Sequence, residues 1–140
     1  MIQQAVQIRI PVATHRCAPA HVMVVDDDPH FRSLARHLLE PIGITVIEAS
    51  GAREGLHCMY VHKIDLVVLD VVLPGEDGLK ALSFLKANFP ATKILLATGL
   101  YLEFATPPGA DAFLAKSEIE RLRPLVEHLL ETQDKDGDAV

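Results

Sequence analysis

Cysteine, clustered positive charge and long apolar runs are all scarce in this chain, and each scarcity removes a class of function. The two cysteines, Cys17 and Cys58, lack metal-ligand spacing; two ordinary thiols in a reducing cytosol are expected, not a disulfide framework. Lys and Arg number 13 against 19 Asp and Glu, giving a net charge of −6. No basic cluster breaks that balance, so direct binding to nucleic acid or to an anionic membrane has no electrostatic footprint. No apolar stretch approaches the roughly 20 residues that cross a bilayer. Residues 1–20, broken by Pro11 and Pro19, lack the apolar core of a signal peptide. The expectation is a soluble, cytoplasmic protein whose partner is another protein or a small molecule. The seven histidines are scattered, so neither a zinc site nor a catalytic triad is indicated, and His30, nearest the acids discussed below, is read as a surface residue.

What the chain does have is short continuous aliphatic runs, each stopped by a polar group. At 140 residues and 49% hydrophobic, it can bury one core without staples. His21–Val25 runs into Asp26-Asp27-Asp28, and Leu66–Leu69 runs into Asp70. Unbroken runs of this kind mark parallel strands covered on both faces. Between them the apolar period becomes helical, the alternation of a doubly wound α/β domain. Asp28-Pro29 reads as a helix cap and first-turn proline, followed by Phe31, Leu34, Ala35, Leu38 and Leu39. Ile44–Glu48 is a second predicted strand, Ser50 a cap, and Ala52–His62 a helix burying Leu56, Met59 and Tyr60. After a loop holding Pro74 and Gly75, a helix is predicted over Asp77–Asn88, with Leu79, Leu82, Phe84 and Leu85. Lys93–Ala97, ending at Thr98, and Ala112–Ala115, ending at Lys116, are the last strands, and Glu118–Glu131 the last helix, which Pro124 is expected to kink or split.

Right-handed crossovers of such a series give a five-stranded parallel sheet, and the common flavodoxin-like order 2-1-3-4-5 makes strands one and three neighbours, about 5 Å apart. Asp26, Asp27 and Asp70 then crowd one crevice at the carboxyl ends of the strands, where such sheets bind ligands. Three carboxylates there take up protons or bind a cation, and oxygen ligands in an open site suit Mg2+. Thr98 and Lys116 add a hydroxyl and an ammonium to the same edge. Together these groups form a site for phosphoryl chemistry, since phosphoryl oxygens need positive charge and donors while phosphorus needs an oxygen nucleophile. Asp28 is read only as a cap.

Val-Val-Asp-Asp-Asp-Pro, Leu-Asp-Val-Val-Leu-Pro-Gly-Glu-Asp-Gly, Ala-Thr-Gly and Gly-Ala-Asp-Ala-Phe-Leu-Ala-Lys, in that order on successive strand ends, resemble the receiver domain of two-component response regulators over residues 21–131. The resemblance implies that Asp70 is the phosphoacceptor, taking phosphate from a sensor histidine kinase or histidine phosphotransfer protein. It implies that Asp26 and Asp27 hold Mg2+ together with Asp70 and the backbone carbonyl of Val72. Lys116 would pair with Asp70 and then with its phosphoryl group, Thr98 would hydrogen-bond a phosphoryl oxygen, and Phe113 would occupy an aromatic switch position. The protein would then be a phosphoacceptor rather than an enzyme, signalling to an effector protein that the sequence does not identify.

Three departures from that pattern bear on mechanism. The interval from Thr98 to Lys116 is short and carries Pro107-Pro108-Gly109, so the fourth helix is expected to be shortened or absent, and signalling through a rearranged face near Leu100, Tyr101, Leu102 and Phe104 is expected. Ser117 stands where a proline usually follows the lysine, so no cis peptide and a less rigid Lys116 are expected there. In that family the side chains at the positions of Val72 and Leu100 influence how readily water attacks the acyl phosphate, and both are apolar here, which implies slow self-dephosphorylation. Residues 1–20 are read as a mobile N-terminal extension, with Val6, Ile8, Ile10 and Val12 as an alternative edge strand or homodimer contact. Residues 132–140 are read as a disordered tail without an output module. Two rival readings are a receiver-like binding module that is never phosphorylated and a Mg2+-dependent phosphatase or phosphotransferase. The second would need another acid near Asp70, where Val72 is apolar.

Overall fold

His21–Val25 forms strand β1, and its side chains alternate between two apolar layers: Val22 and Val24 enter one, Met23 and Val25 the other. The same alternation holds for Leu66 and Val68 against Val67 and Leu69, and for Leu95 and Ala97 against Ile94 and Leu96. A run that must be apolar on both faces cannot show the polar alternation of a half-exposed strand, which is why these segments are continuous in sequence. The computed structural model describes residues 19–73, 75–99 and 109–138, without the side chains of Glu76 and of residues 133–138.

Along the chain, β1 is followed by α1 (Pro29–Leu39), β2 (Thr45–Ala49), α2 (Ala52–Val61), β3 (Leu66–Leu69), a short pair β4 (Val72–Leu73) and β5 (Glu76–Asp77), α3 (Gly78–Asn88), β6 (Lys93–Thr98), β7 (Ala112–Ala115) and α4 (Leu122–Asp138). The main sheet is parallel throughout, in the order β2-β1-β3-β6-β7. This is the predicted 2-1-3-4-5 order, in which successive strands are added on one side of β1 and then, from β3 on, on the other. One layer packs α1 and α4 on the sheet through Phe31, Ala35, Leu39, Leu122 and Val126. The other packs α2 and α3 through Met59, Leu82 and Leu85. Full burial of each such aliphatic side chain is worth about 1.5–3 kcal/mol, so a one-residue slip of any central strand is strongly disfavoured.

Several expectations change in detail. The second strand begins one residue later than predicted, at Thr45, because Ile44 serves the α1 side of the core while its amide bonds to the Leu39 carbonyl. Helical stripes are narrower than their sequences suggest: Leu34, Tyr60, Leu79 and Phe84 are exposed at 44%, 68%, 42% and 41%. A helix lying on a flat sheet buries only its innermost positions, and these residues flank them. Tyr60 instead meets Phe89 edge-on, with ring centroids 5.3 Å apart. Ser50 is not the cap of α2; that residue is Gly51, and Glu54 reaches back to accept from the Ser50 amide and lies 2.9 Å from its hydroxyl.

The loop after Asp70 contains a two-residue antiparallel pair, β4 with β5, turning at Gly75, whose φ of 67° is left-handed. Pro124 does not break the last helix. The break comes earlier, at Glu118, whose φ of −114° and ψ of 41° interrupt a 3₁₀ segment over Lys116–Arg121. α4 then starts at Leu122, leaving Pro124 in its first turn, where no amide partner is lost. Nor does the helix stop at Glu131: it continues to Asp138, since extending an anchored helix costs far less than starting one. Residues 100–108, where the fourth helix is expected to be shortened or absent, and residues 1–18 of the N-terminal extension lie outside those described. Pro19 and Ala20 are described, and buried Ala20 already accepts a hydrogen bond from the Thr45 amide.

Candidate functional site

Parallel pairing carries the backbone just past the ends of β1 and β3. The Asp26 amide donates to the Ala49 carbonyl at 3.0 Å, and the Asp70 amide to the Val25 carbonyl at 3.0 Å. Two acids are thereby fixed side by side at the point where the sheet changes direction. Asp26 and Asp70 are almost wholly buried while Asp27 is exposed, so the acidic cluster opens to solvent on one side only. One carboxylate oxygen from each of Asp26, Asp27 and Asp70 lies within 4.8 Å of the others.

Asp26, Asp28 and Asp70 are each held by a backbone amide two residues on. Asp26 Oδ1 accepts from the Asp28 amide and Asp28 Oδ1 from the His30 amide, both at 2.9 Å, so Asp28 caps α1 as predicted. Asp70 Oδ1 accepts from the Val72 amide at 3.0 Å. Lys116, directly after β7, reaches across to donate to Asp70 Oδ2 at 2.9 Å and to stand 2.6 Å from Asp26 Oδ2. That second contact is an ion pair off hydrogen-bonding geometry: Asp26 Oδ2 is fully buried and has no directed hydrogen bond among the described residues. Burial therefore holds the Asp26 carboxyl above its ordinary pKa, outweighing the pull of Lys116. For Lys116 the balance goes the other way. Burial opposes its charge, but Asp26 and Asp70 together more than compensate and hold the ammonium above its ordinary pKa.

Thr98 is buried at the end of β6, beside Ala115 of β7 and one strand from Asp70. Val72 is half exposed at the rim. Phe113 is partly buried against the layer formed by α2 and α3. The structure thus brings Asp26, Asp27, Asp70 and Lys116 into one cluster, with Thr98 on its edge; Phe113, on the strand leading to Lys116, packs partly buried against the core. A buried carboxylate oxygen that has an ion pair but no directed hydrogen bond among the described residues, three convergent acids and an all-oxygen donor set fit a hard divalent cation such as Mg2+.

Three residues of the site escape a reading of the sequence. Arg32 looks like a solvent-facing helix residue, yet its Nη1 donates to the Asp26 carbonyl at 2.7 Å while its Nε donates to Glu48 at 2.9 Å. Glu48 in turn accepts from Arg36 at 2.8 Å. The available signal was the i,i+4 pair Arg32 and Arg36 against a lone acid on the neighbouring strand. Gly78 packs its α-carbon against the backbone just after Asp70, and Phe31 lies beneath Lys116, its ring centroid 4.7 Å from Nζ.

The Glu48 network makes stability depend on pH. The hydrogen bond from Arg36 holds the Glu48 carboxyl below its ordinary pKa against the opposing effect of burial, and Arg32 adds to it. A carboxyl depressed in the folded state contributes stability that is complete above its unfolded pKa and vanishes as pH falls through the folded one. Glu48→Gln is therefore expected to cost about 1 kcal/mol near pH 7 and nothing once pH is well below 4, as followed by urea denaturation across that range. An equal deficit at both ends would remove the charge from the explanation.

Comparison with known proteins agrees with this geometry. A family profile described as the response regulator receiver domain matches residues 22–127. The chain is 38% identical over 81 residues, 57% of its own length and 23% of the relative's, to the protein-glutamate methylesterase/protein-glutamine glutaminase 3 of Hahella chejuensis. It is 34% identical over 134 residues, 90% of its length and 14% of the relative's, to the sensor kinase CckA of Brucella abortus. The chain thus spans about a quarter or less of these curated relatives. The response regulator protein TrrA of Thermotoga maritima, solved in complex with Mg(2+)-BeF, superposes with a TM-score of 0.71 at 29% identity, covering 79% of this chain and 98% of that one.

Proposed function

The chain belongs to the response regulator receiver domain family of two-component systems, and from that premise we propose that it is phosphorylated on Asp70 and signals by binding another protein. The observation that carries the proposal is Lys116 Nζ joining buried Asp70 and Asp26 at the ends of adjacent strands, 2.9 and 2.6 Å from their oxygens. A lysine spent this way has no structural need that a hydrophobe would not meet better.

In the proposed reaction a carboxylate oxygen of Asp70 attacks phosphorus on a phosphohistidine of a sensor kinase or phosphotransfer protein. The P–O bond forms as the P–N bond breaks, the imidazole leaves with the electron pair, and an acyl phosphate remains on Asp70. Lys116 exchanges part of its contact with Asp70 for a phosphoryl oxygen, and the Thr98 hydroxyl donates to another. Asp26, Asp27, Asp70 and the Val72 carbonyl would hold Mg2+, which would supply the positive charge that three phosphoryl oxygens require. The Val72 amide keeps Asp70 Oδ1 oriented, leaving the attacking oxygen on the Lys116 side.

The chain would act as a cytoplasmic phosphoacceptor without other substrates, its output a population shift read by an effector protein. The complex that TrrA forms with Mg(2+)-BeF supports the same chemistry here. The direct test is an NMR titration with Mg2+ and then beryllofluoride. Saturable shifts at Asp27, Thr98 and Lys116 that Asp70→Asn abolishes are expected; a protein indifferent to both reagents would be a binding module only. Apolar Val72 at the site mouth should exclude water, so Val72→Asn is expected to speed loss of the phosphoryl group, measured as its half-life after removal of donor.

A further inference from the structure

Lys116 reaches into a partly buried site and meets two carboxylates whose oxygens Mg2+ and phosphate would also claim. Another of its neighbours is of a different kind. Phe31, 7% exposed, projects from the first turns of α1 and presents its ring 4.7 Å from Nζ. A ring face attracts an ammonium through its quadrupole, most strongly where water is excluded, and neither protons nor metal ions can take it away. Core packing alone accounts for the burial of Phe31 with Ala35 and Leu39, but any apolar side chain of similar volume would satisfy that layer. It does not account for an aromatic face beneath the Lys116 ammonium.

We propose that Phe31 is a positioning residue, which holds the Lys116 ammonium over its ring and so keeps it aimed at Asp70 while the carboxylates exchange partners. The rate consequence rests on the phosphoacceptor reading above; the contact itself does not. Three variants separate the possibilities: Phe31→Leu keeps apolar volume without a ring face, Phe31→Met does so with more flexibility should leucine pack poorly, and Phe31→Tyr keeps the face.

The first readout is the proton shift of the Lys116 ε-methylene, which a ring beneath it moves upfield and which a merely structural role would not alter. It should be upfield in the wild type and Phe31→Tyr, and return to an ordinary value in Phe31→Leu and Phe31→Met. The second readout is the rate of phosphorylation by acetyl phosphate at saturating Mg2+. It should fall about three- to tenfold in the leucine and methionine variants and recover in tyrosine. An ordinary ε-methylene shift in the wild type overturns the proposal, as does a full rate in Phe31→Leu or Phe31→Met, or an equal loss in all three variants. If wild type accepts no phosphoryl group, the phosphoacceptor reading fails, and the ring-current shift alone decides whether Phe31 holds Lys116.

Discussion

Asp26→Asn is expected to make the metal-free protein more stable and at the same time to abolish most of its response to Mg2+. Asp26 is 1% exposed, its Oδ2 lacks a directed hydrogen bond, and burial holds its pKa up despite Lys116. A carboxyl whose folded pKa exceeds the unfolded one favours folding only while protonated, so that part of the stability is lost as pH rises through the folded pKa. Asparagine retains an oxygen for the Asp28 amide without the charge. A gain in stability at pH 7, read as a higher Tm, is expected in EDTA. With Mg2+ at a hundred times its Kd, the wild type should gain about 2.7 kcal/mol and the variant far less. Thermal denaturation with and without Mg2+ measures both. A variant less stable in EDTA, or one equally responsive to Mg2+, would mean that Asp26 serves the fold rather than a cation.

The second large effect concerns a residue with no chemistry of its own. A β-carbon at Gly78 would stand 2.4 Å from the Val71 carbonyl oxygen and 2.5 Å from that of Asp70. Both are backbone atoms, and the Gly78 amide already bonds to the first at 3.1 Å. Neither side can yield without moving the turn that presents Asp70 and the Val72 amide. Gly78→Ala is therefore expected to cost about 3 kcal/mol or more and to lower Tm by on the order of 10 °C. Gly99→Ala, where an added β-carbon meets nothing within 4 Å among the described residues, is the control and should be near neutral in stability. A mild Gly78→Ala would show that the turn is loose.

These two residues mark where the sequence could and could not be read. Asp26 and Asp70 were legible because each ends an apolar run: two-sided burial forces continuous hydrophobicity, and an acid that interrupts it has few structural uses. The strand order followed from handed crossovers, and once β1 and β3 were neighbours the acidic cluster followed as well. Gly78, Arg32 and Phe31 were hidden for a shared reason. Each acts through a contact between segments distant in sequence or through backbone, while its local pattern fits an ordinary helix. Pro124 misled because its effect depends on where the helix starts, which Glu118 decides. Leu34 and Phe84 misled because periodicity reports a face, whereas a flat sheet covers only its centre.

The measurement closest to the central claim is intact mass after incubation with acetyl phosphate, on wild type and Asp70→Asn, with Mg2+ or EDTA. Asp70 is held by Lys116 at 2.9 Å and by the Val72 amide at 3.0 Å, so its substitution by asparagine removes the nucleophile while keeping one oxygen in place to accept from one of these two donors. One added phosphoryl group, about 80 Da, is expected on the wild type in Mg2+ alone. An unmodified wild type, or an adduct that survives in Asp70→Asn or in EDTA, would contradict Asp70 as a Mg2+-dependent phosphoacceptor.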